Sequence, residues 1–124
     1  MQIMLVEDND FLREAFRQEL CRRCSSAIVK EAATAEEAMQ EINSSPPPQL
    51  IFMDIRLPGE NGLQLTKKIK AQIPNVRIAI LTSYDLPEYR EAAFHNGADR
   101  YFVKDSLSWN EVEEFIECHA AQHS

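Results

Sequence analysis

An α/β fold built on a doubly wound parallel sheet is what this sequence predicts, and three observations carry that reading. Leu50-Ile51-Phe52-Met53 is an unbroken apolar run, the pattern of a strand buried on both faces. Similar short runs alternate with segments of helical period along the whole chain. The runs also end on residues that carry chemistry: Glu7-Asp8, Asp54, Thr82-Ser83 and Lys104-Asp105. In open sheets of this kind, ligands gather at the carboxyl ends of the strands.

The elements follow in order. Gln2 to Val6 is a first strand, ending abruptly in Glu7-Asp8-Asn9-Asp10. Phe11, Leu12, Ala15, Phe16, Glu19 and Leu20 then fall at helical spacing, with Asp10 as the expected N-cap. Ala27-Ile28-Val29 marks a second strand within Ser25 to Glu31. Thr34-Ala35-Glu36-Glu37 matches a capping box, opening a helix that buries Ala38, Met39 and Ile42. Ser44-Ser45-Pro46-Pro47-Pro48 reads as a stiff connection into the Asp54 strand. Pro58-Gly59-Glu60-Asn61-Gly62 is loop chemistry. Asn61 to Ala71 then forms a helix with Leu63, Leu65 and Ile69 inside and Lys67, Lys68 and Lys70 on a basic outer face.

Val76 to Leu81 is a fourth strand, ending in Thr82-Ser83. Asp85 and Pro87 open a helix, because proline in a first turn forfeits no hydrogen bond, and Gly97 stops it. Arg100 to Val103 is a fifth strand, and Ser108-Trp109-Asn110-Glu111 caps a last helix lined by Val112, Phe115 and Ile116. Five strands alternating with five helices call for a parallel sheet covered on both faces.

Composition sets the outer bounds. A chain of 124 residues with 44% hydrophobic content fits one domain, 1–124, with an ample core. A net charge of −7 argues against direct nucleic-acid contact. No apolar run is long enough to span a bilayer, and the N-terminus lacks a signal-type segment. Three cysteines in a charged chain fit reduced thiols and a cytoplasmic setting.

The strand ends supply one site. Glu7, Asp8 and Asp54 bring three carboxylates together, Thr82 a hydroxyl and Lys104 an ammonium. Gathered carboxylates repel one another unless a hard cation with oxygen ligands compensates, and Mg²⁺ suits such a site. Lysine and threonine are groups that hold a phosphate. The set fits phosphoryl transfer, with Asp54 as the nucleophile.

The chain resembles a bacterial two-component response-regulator receiver domain. The resemblance rests on Met4-Leu5-Val6-Glu7-Asp8, Met53-Asp54, Leu57-Pro58-Gly59, Leu81-Thr82-Ser83 and Tyr101-Phe102-Val103-Lys104-Asp105, and it covers essentially the whole chain. It implies a flavodoxin-like (βα)5 fold with Asp54 as phosphoacceptor. Glu7, Asp8, Asp54 and the backbone carbonyl of Arg56 would hold Mg²⁺, and Thr82 and Lys104 would hold the phosphoryl group. Tyr101 would be the aromatic switch that turns inward on activation. Arg56 and Tyr84 occupy positions that vary in the family and tune phosphoryl lifetime. Tyr84 is bulky and lacks an acidic or amide group to orient a water, and Arg56 offers only donors. Slow self-dephosphorylation is therefore expected, in preference to hydrolysis sped by an arginine that stabilises transition-state charge.

Implied partners are a sensor histidine kinase or phosphotransfer protein and an output domain or downstream protein, with homodimerisation on phosphorylation compatible with the family. The Tyr-Phe-Val-Lys-Asp-Ser ending resembles receivers that precede helix-turn-helix output domains, so transcription regulation is the expected process. The chain ends at Ser124, which fits either a free-standing receiver or one excised from a longer regulator. Such a domain is a signalling switch and not an enzyme beyond its own phosphoryl transfer. The alternative is a degenerate receiver serving as a phosphorylation-independent binding module, and the intact set of Glu7, Asp8, Asp54, Thr82 and Lys104 argues against it. A hydrolase of the same architecture is disfavoured because no substrate pocket or lid is evident.

Other motifs have plainer readings. Cys21-Arg22-Arg23-Cys24 has redox spacing but sits late in a helix, where no N-terminal amides stabilise a thiolate. Cys118, His119 and His123 could join the first helix in a zinc site, at a ligand spacing unusual for zinc.

Overall fold

The computed structural model describes residues 1–44 and 46–123, and for 118–123 the backbone alone. Its elements alternate as expected: β1 (Gln2–Val6), α1 (Asp10–Arg23), β2 (Ile28–Ala32), α2 (Ala35–Ile42), β3 (Leu50–Met53), α3 (Gly62–Gln72), β4 (Arg77–Thr82), α4 (Pro87–His95), β5 (Arg100–Val103) and α5 (Trp109–His123). A short 3-10 turn, Lys104–Ser106, joins β5 to α5. All strand pairs are parallel, in the order β2-β1-β3-β4-β5. This is the doubly wound, flavodoxin-like order, whose chain direction across the sheet reverses between β1 and β3.

Strand alternation sorts the core into two layers. Met4, Val6, Ile51, Met53, Ile78 and Ile80 point to one face, covered by α2, α3 and α4 through Ala38, Ile42, Leu65, Ile69 and Ala93. Ile3, Leu5, Leu50, Phe52, Ala79 and Leu81 point to the other, covered by α1 and α5 through Leu20, Val112, Phe115 and Ile116. Phe52 anchors that second layer, with edge-on contacts to Phe16 at 5.1 Å and to Phe115 at 5.9 Å between ring centroids. All four β3 residues are buried, so the centre of the sheet is apolar on both faces.

Several boundaries depart from the sequence reading. Asn9, not Asp10, caps α1: its backbone is extended and its Oδ1 accepts from Leu12 N–H at 3.0 Å. Asp10 is the first helical residue, and its carboxylate accepts from Arg13. The second strand leaves out Ala27 and runs from Ile28 to Ala32, one residue past the stretch expected to contain it, because pairing with β1 begins at Gln2↔Ile28. The Thr34 capping box closes, with Glu37 N–H donating to Thr34 Oγ1 at 3.1 Å, but the return bond reaches Ala33 N–H. Asn61 is the cap of α3, and Leu86, without a side-chain bond, stands before Pro87 at the start of α4. Lys70 is not on an outer face: its ammonium donates to Asp99 at 3.0 Å and to the Val76 carbonyl. Phe11 is 80% exposed, so helical spacing at the start of α1 does not mark burial there. Ser45 and the side chains of Cys118, His119 and His123 lie outside the described residues, and with them the zinc reading.

At Gly97 and Gly62 the geometry requires glycine. Gly97, at φ +105°, lets the chain leave α4 in the left-handed region. Gly62 opens α3 against the backbone of Asp54, and a Cβ there would lie 1.8 Å from the Asp54 carbonyl oxygen. Gly62→Ala must therefore displace either the Asp54 backbone or the start of α3. We expect a loss of about 3 kcal/mol in urea denaturation, and a loss below about 0.5 kcal/mol would show that the contact yields without cost.

Candidate functional site

The register of the sheet builds the site. Val6 pairs with Met53, so Glu7 and Asp54 emerge side by side, with Asp54 N–H donating to the Val6 carbonyl at 3.0 Å. Thr82 pairs with Val103, so Lys104 leaves the sheet beside the hydroxyl residue. Glu7, Asp54 and Thr82 are all buried, at 4%, 8% and 0% exposure, and Asp8 is exposed. The sequence-predicted residues thus converge on the carboxyl edge where β1 meets β3.

Lys104 ties the acids together. Its Nζ donates to Glu7 Oε1 and lies 3.3 Å from Asp54 Oδ2. Burial pulls the Lys104 pKa down, but its hydrogen bond to Glu7 and the charges of Asp54 and Glu7 outweigh it, leaving the ammonium above its usual value. Asp54 Oδ1 accepts from the following N–H of Ile55 at 2.8 Å, and Glu7 Oε2 accepts from Asn9 N–H at 3.1 Å. One carboxylate oxygen from each of Glu7, Asp8 and Asp54 lies within 4.8 Å of the others. Three hard oxygen donors so close fit a small divalent cation.

Around this centre lies a second group. The Thr82 hydroxyl accepts from Tyr84 N–H at 3.2 Å, which leaves its own proton to give. The Tyr84 carbonyl accepts from the Tyr101 hydroxyl at 2.6 Å. The family resemblance has Tyr101 turning inward on activation; here the ring is already inside, 7% exposed, with the Arg90 guanidinium 4.7 Å from its centroid. Burial raises the Tyr101 pKa, the Arg90 charge opposing, so the phenol remains a donor at neutral pH. Arg56 lies 5.1 Å from the Tyr84 ring, and Tyr89 of α4 stacks on the same ring at 5.2 Å. These residues, with Asp8, Ile55, Leu57 and Asn61, line a cleft of about 430 Å³.

Three residues at the site were not singled out from the sequence. Arg13 donates to the Glu7 carbonyl at 2.7 Å and to Asp10 and Glu31, fixing the loop that carries the acidic pair. Its three-residue spacing from Asp10 was the available signal. Asn9 braces Glu7 through its N–H, and Tyr89 supports Tyr84; neither carries a sequence signal for those roles.

Comparison with known proteins agrees with this geometry. The family model described as response regulator receiver domain matches residues 3–116. The transcriptional regulatory protein YhcZ of Bacillus subtilis is 34% identical over 116 residues, covering 94% of this chain and 52% of YhcZ. The oxygen regulatory protein NreC of Staphylococcus haemolyticus is 36% identical over 107 residues, covering 86% of this chain and 49% of NreC. The chain thus spans about half the length of these curated relatives. Among solved structures, a two-component response regulator of the LuxR family from an Aurantimonas species superposes with a TM-score of 0.86 at 33% identity, covering 97% of this chain and 85% of that one.

The Lys104 clasp makes a measurable prediction. Lys104→Met leaves two buried acids without their cation and should lower stability by about 2 kcal/mol at neutral pH, below the full cost of breaking a buried pair because Lys104 is partly exposed. A pKa raised on folding contributes stability that is complete below the unfolded value, about 10.4, and fades as pH rises through the folded one. The gap between wild type and variant in urea denaturation should therefore be flat from neutrality to about pH 10 and narrow above it. A gap already closed at about pH 8 would refute the assignment.

Proposed function

This chain belongs to the response regulator receiver family, and we propose that it is a switch thrown by phosphorylation of Asp54. The observation that carries the proposal is the Lys104 ammonium set between buried Glu7 and buried Asp54 at the β1–β3 reversal, beside an exposed Asp8 and a Thr82 hydroxyl with a proton to spare. Glu7, Asp8 and Asp54, with the Arg56 carbonyl implied by the family, would hold Mg²⁺. When bound, the cation neutralises charge on the phosphoryl oxygens.

The protein's own groups do the rest. The Asp54 carboxylate attacks the phosphorus of a phosphohistidine or acyl phosphate, and the donor leaves with the bonding electrons of its P–N or P–O bond. Lys104 turns from the carboxylates to a phosphoryl oxygen, retaining its charge because its pKa is raised. Thr82 donates its hydroxyl proton to another phosphoryl oxygen while still accepting from Tyr84 N–H. A shift of Thr82 pulls on Tyr84, whose carbonyl holds Tyr101, so the change passes to α4 and β5. The intact acidic set, lysine and hydroxyl support this switch over a phosphorylation-independent module.

A protein phosphodonor would reach Asp54 past α1. Phe11 at 80% and Leu12 at 43% exposure form an apolar edge there, next to a cleft of about 340 Å³ lined by Leu5, Leu12, Phe16, Leu107 and Trp109. A histidine kinase or phosphotransfer protein is the donor this reading requires. Relatives named as regulatory proteins support an output in transcription, through a domain or partner beyond this one. Among the described residues no helix is long and apolar enough to cross a membrane. A cytoplasmic location is part of this proposal.

Two measurements test it. With Mg²⁺ and acetyl phosphate, intact mass should show one phosphoryl group on wild type and none on Asp54→Asn; equal labelling of both would overturn the site. With beryllofluoride, a phosphoryl mimic, amide shifts should extend from the Asp54 loop to Tyr84, Tyr101 and α4. Shifts confined to the loops around Asp54 would overturn the switch and leave the phosphoacceptor standing.

A further inference from the structure

The Tyr84 backbone is fixed at both ends, its N–H on Thr82 Oγ1 and its carbonyl under the Tyr101 hydroxyl. Only its ring retains freedom, and two neighbours limit it. Arg56 lies over the ring at 5.1 Å, but Arg56 is exposed and its long side chain is a yielding support. Tyr89 is the firm one: it is half-buried, packs against the core from the first turn of α4, and meets the Tyr84 ring at 5.2 Å and 30°. Tyr84, Tyr89 and Arg56 share one cleft with Asp8, whose carboxylate lies within 4.8 Å of that of Asp54.

We propose that Tyr89 is a positioning residue for dephosphorylation: it holds the Tyr84 ring across the cleft through which water reaches phosphorylated Asp54. This rests on the preceding reading that Asp54 is phosphorylated. In the hydrolysis step a water oxygen bonds to phosphorus as the phosphorus–oxygen bond to Asp54 breaks. The electron pair returns to the carboxylate, and the water's proton passes to the released phosphate or to solvent. The water must stand opposite the leaving carboxylate oxygen, and a ring held over that approach denies it the position. Removing the Tyr89 ring frees Tyr84 to swing aside, so the phosphorylated state decays sooner.

The test follows decay of the phosphorylated protein by intact mass after donor removal. The set is wild type, Tyr89→Phe, Tyr89→Leu, Tyr89→Ala, Tyr84→Ala and the Tyr84→Ala/Tyr89→Ala double variant. Tyr89→Ala should decay roughly 3- to 10-fold faster than wild type, and Tyr89→Phe, which keeps the ring, within about twofold. Tyr89→Leu keeps an apolar anchor but loses the flat face, and should also decay faster, which guards against an alanine variant that folds poorly. The double variant should decay no faster than Tyr84→Ala alone, since Tyr89 acts through that ring. Thermal midpoints and the initial extent of labelling report a merely structural effect separately. Wild-type decay in both Tyr89→Ala and Tyr89→Leu, or a double variant that multiplies the single effects, overturns the proposal. A wild-type protein that gains no phosphoryl group overturns the phosphoacceptor reading, and this proposal falls with it.

Discussion

The contact on which the rest depends is the Lys104 ammonium set between Glu7 and Asp54. Sheet register places two buried carboxylates side by side at the ends of β1 and β3, where little water reaches them. Like charges in such a place need a cation, and the sheet order decides where one can come from. β4 lies between β3 and β5, so the lysine must reach across the end of β4, which its long stem allows. A buried ion group of this kind does not make a protein more stable than a well-packed apolar one would. What the group does is hold a positive charge at the carboxyl edge of the sheet, where the proposed function brings a phosphoryl oxygen.

The neighbouring loop is built to keep that arrangement. Arg13 binds the Glu7 carbonyl, the Asp10 carboxylate and Glu31 of β2, and Asn9 both caps α1 and supports Glu7. Asp8 is thereby left exposed beside two buried acids, which suits a ligand that arrives from solvent. On the other side, Gly62 lets α3 start against the Asp54 backbone. The Glu7–Asp54 pair is thus held from both flanks, by Arg13 and Asn9 on one side and by the start of α3 on the other.

What could be read from the sequence was what is local in the chain. Leu50 to Met53 announce a doubly buried strand through composition alone; Glu7, Asp54 and Lys104 stand immediately after a strand, and Thr82 ends one. Strand order and parallel pairing then bring those ends together without further information. What could not be read depends on partners distant in sequence. Lys70 looks like one of three outward lysines until the fold brings Asp99 to it. Phe11 has helical spacing with Leu12 and Ala15, but spacing does not reveal that the start of α1 lies open to solvent. Asn9 and Asp10 are equally good caps by residue type, and the choice falls to whichever residue the β1–α1 turn leaves extended. Tyr89 gave no signal, because its role exists only once α4 is set against the β4–α4 loop.

Tyr84 is where these local and distant features meet. Its backbone joins Thr82 to Tyr101 and its ring joins Arg56 to Tyr89, so one residue touches the β3–α3 loop, β4, α4 and β5. Each of these contacts is worth about 1 kcal/mol. Exchanging two of them therefore shifts a two-state balance by roughly 30-fold, a useful range for a switch, and leaves the apolar core untouched. The same node ties α4 to the site: any movement of α4 carries Tyr89, and with it the Tyr84 ring in the cleft that Asp8 also lines. Were Asp54 phosphorylated as proposed, binding at α4 and phosphoryl lifetime would be coupled through this one stack of side chains, with reciprocity holding for the binding equilibria alone.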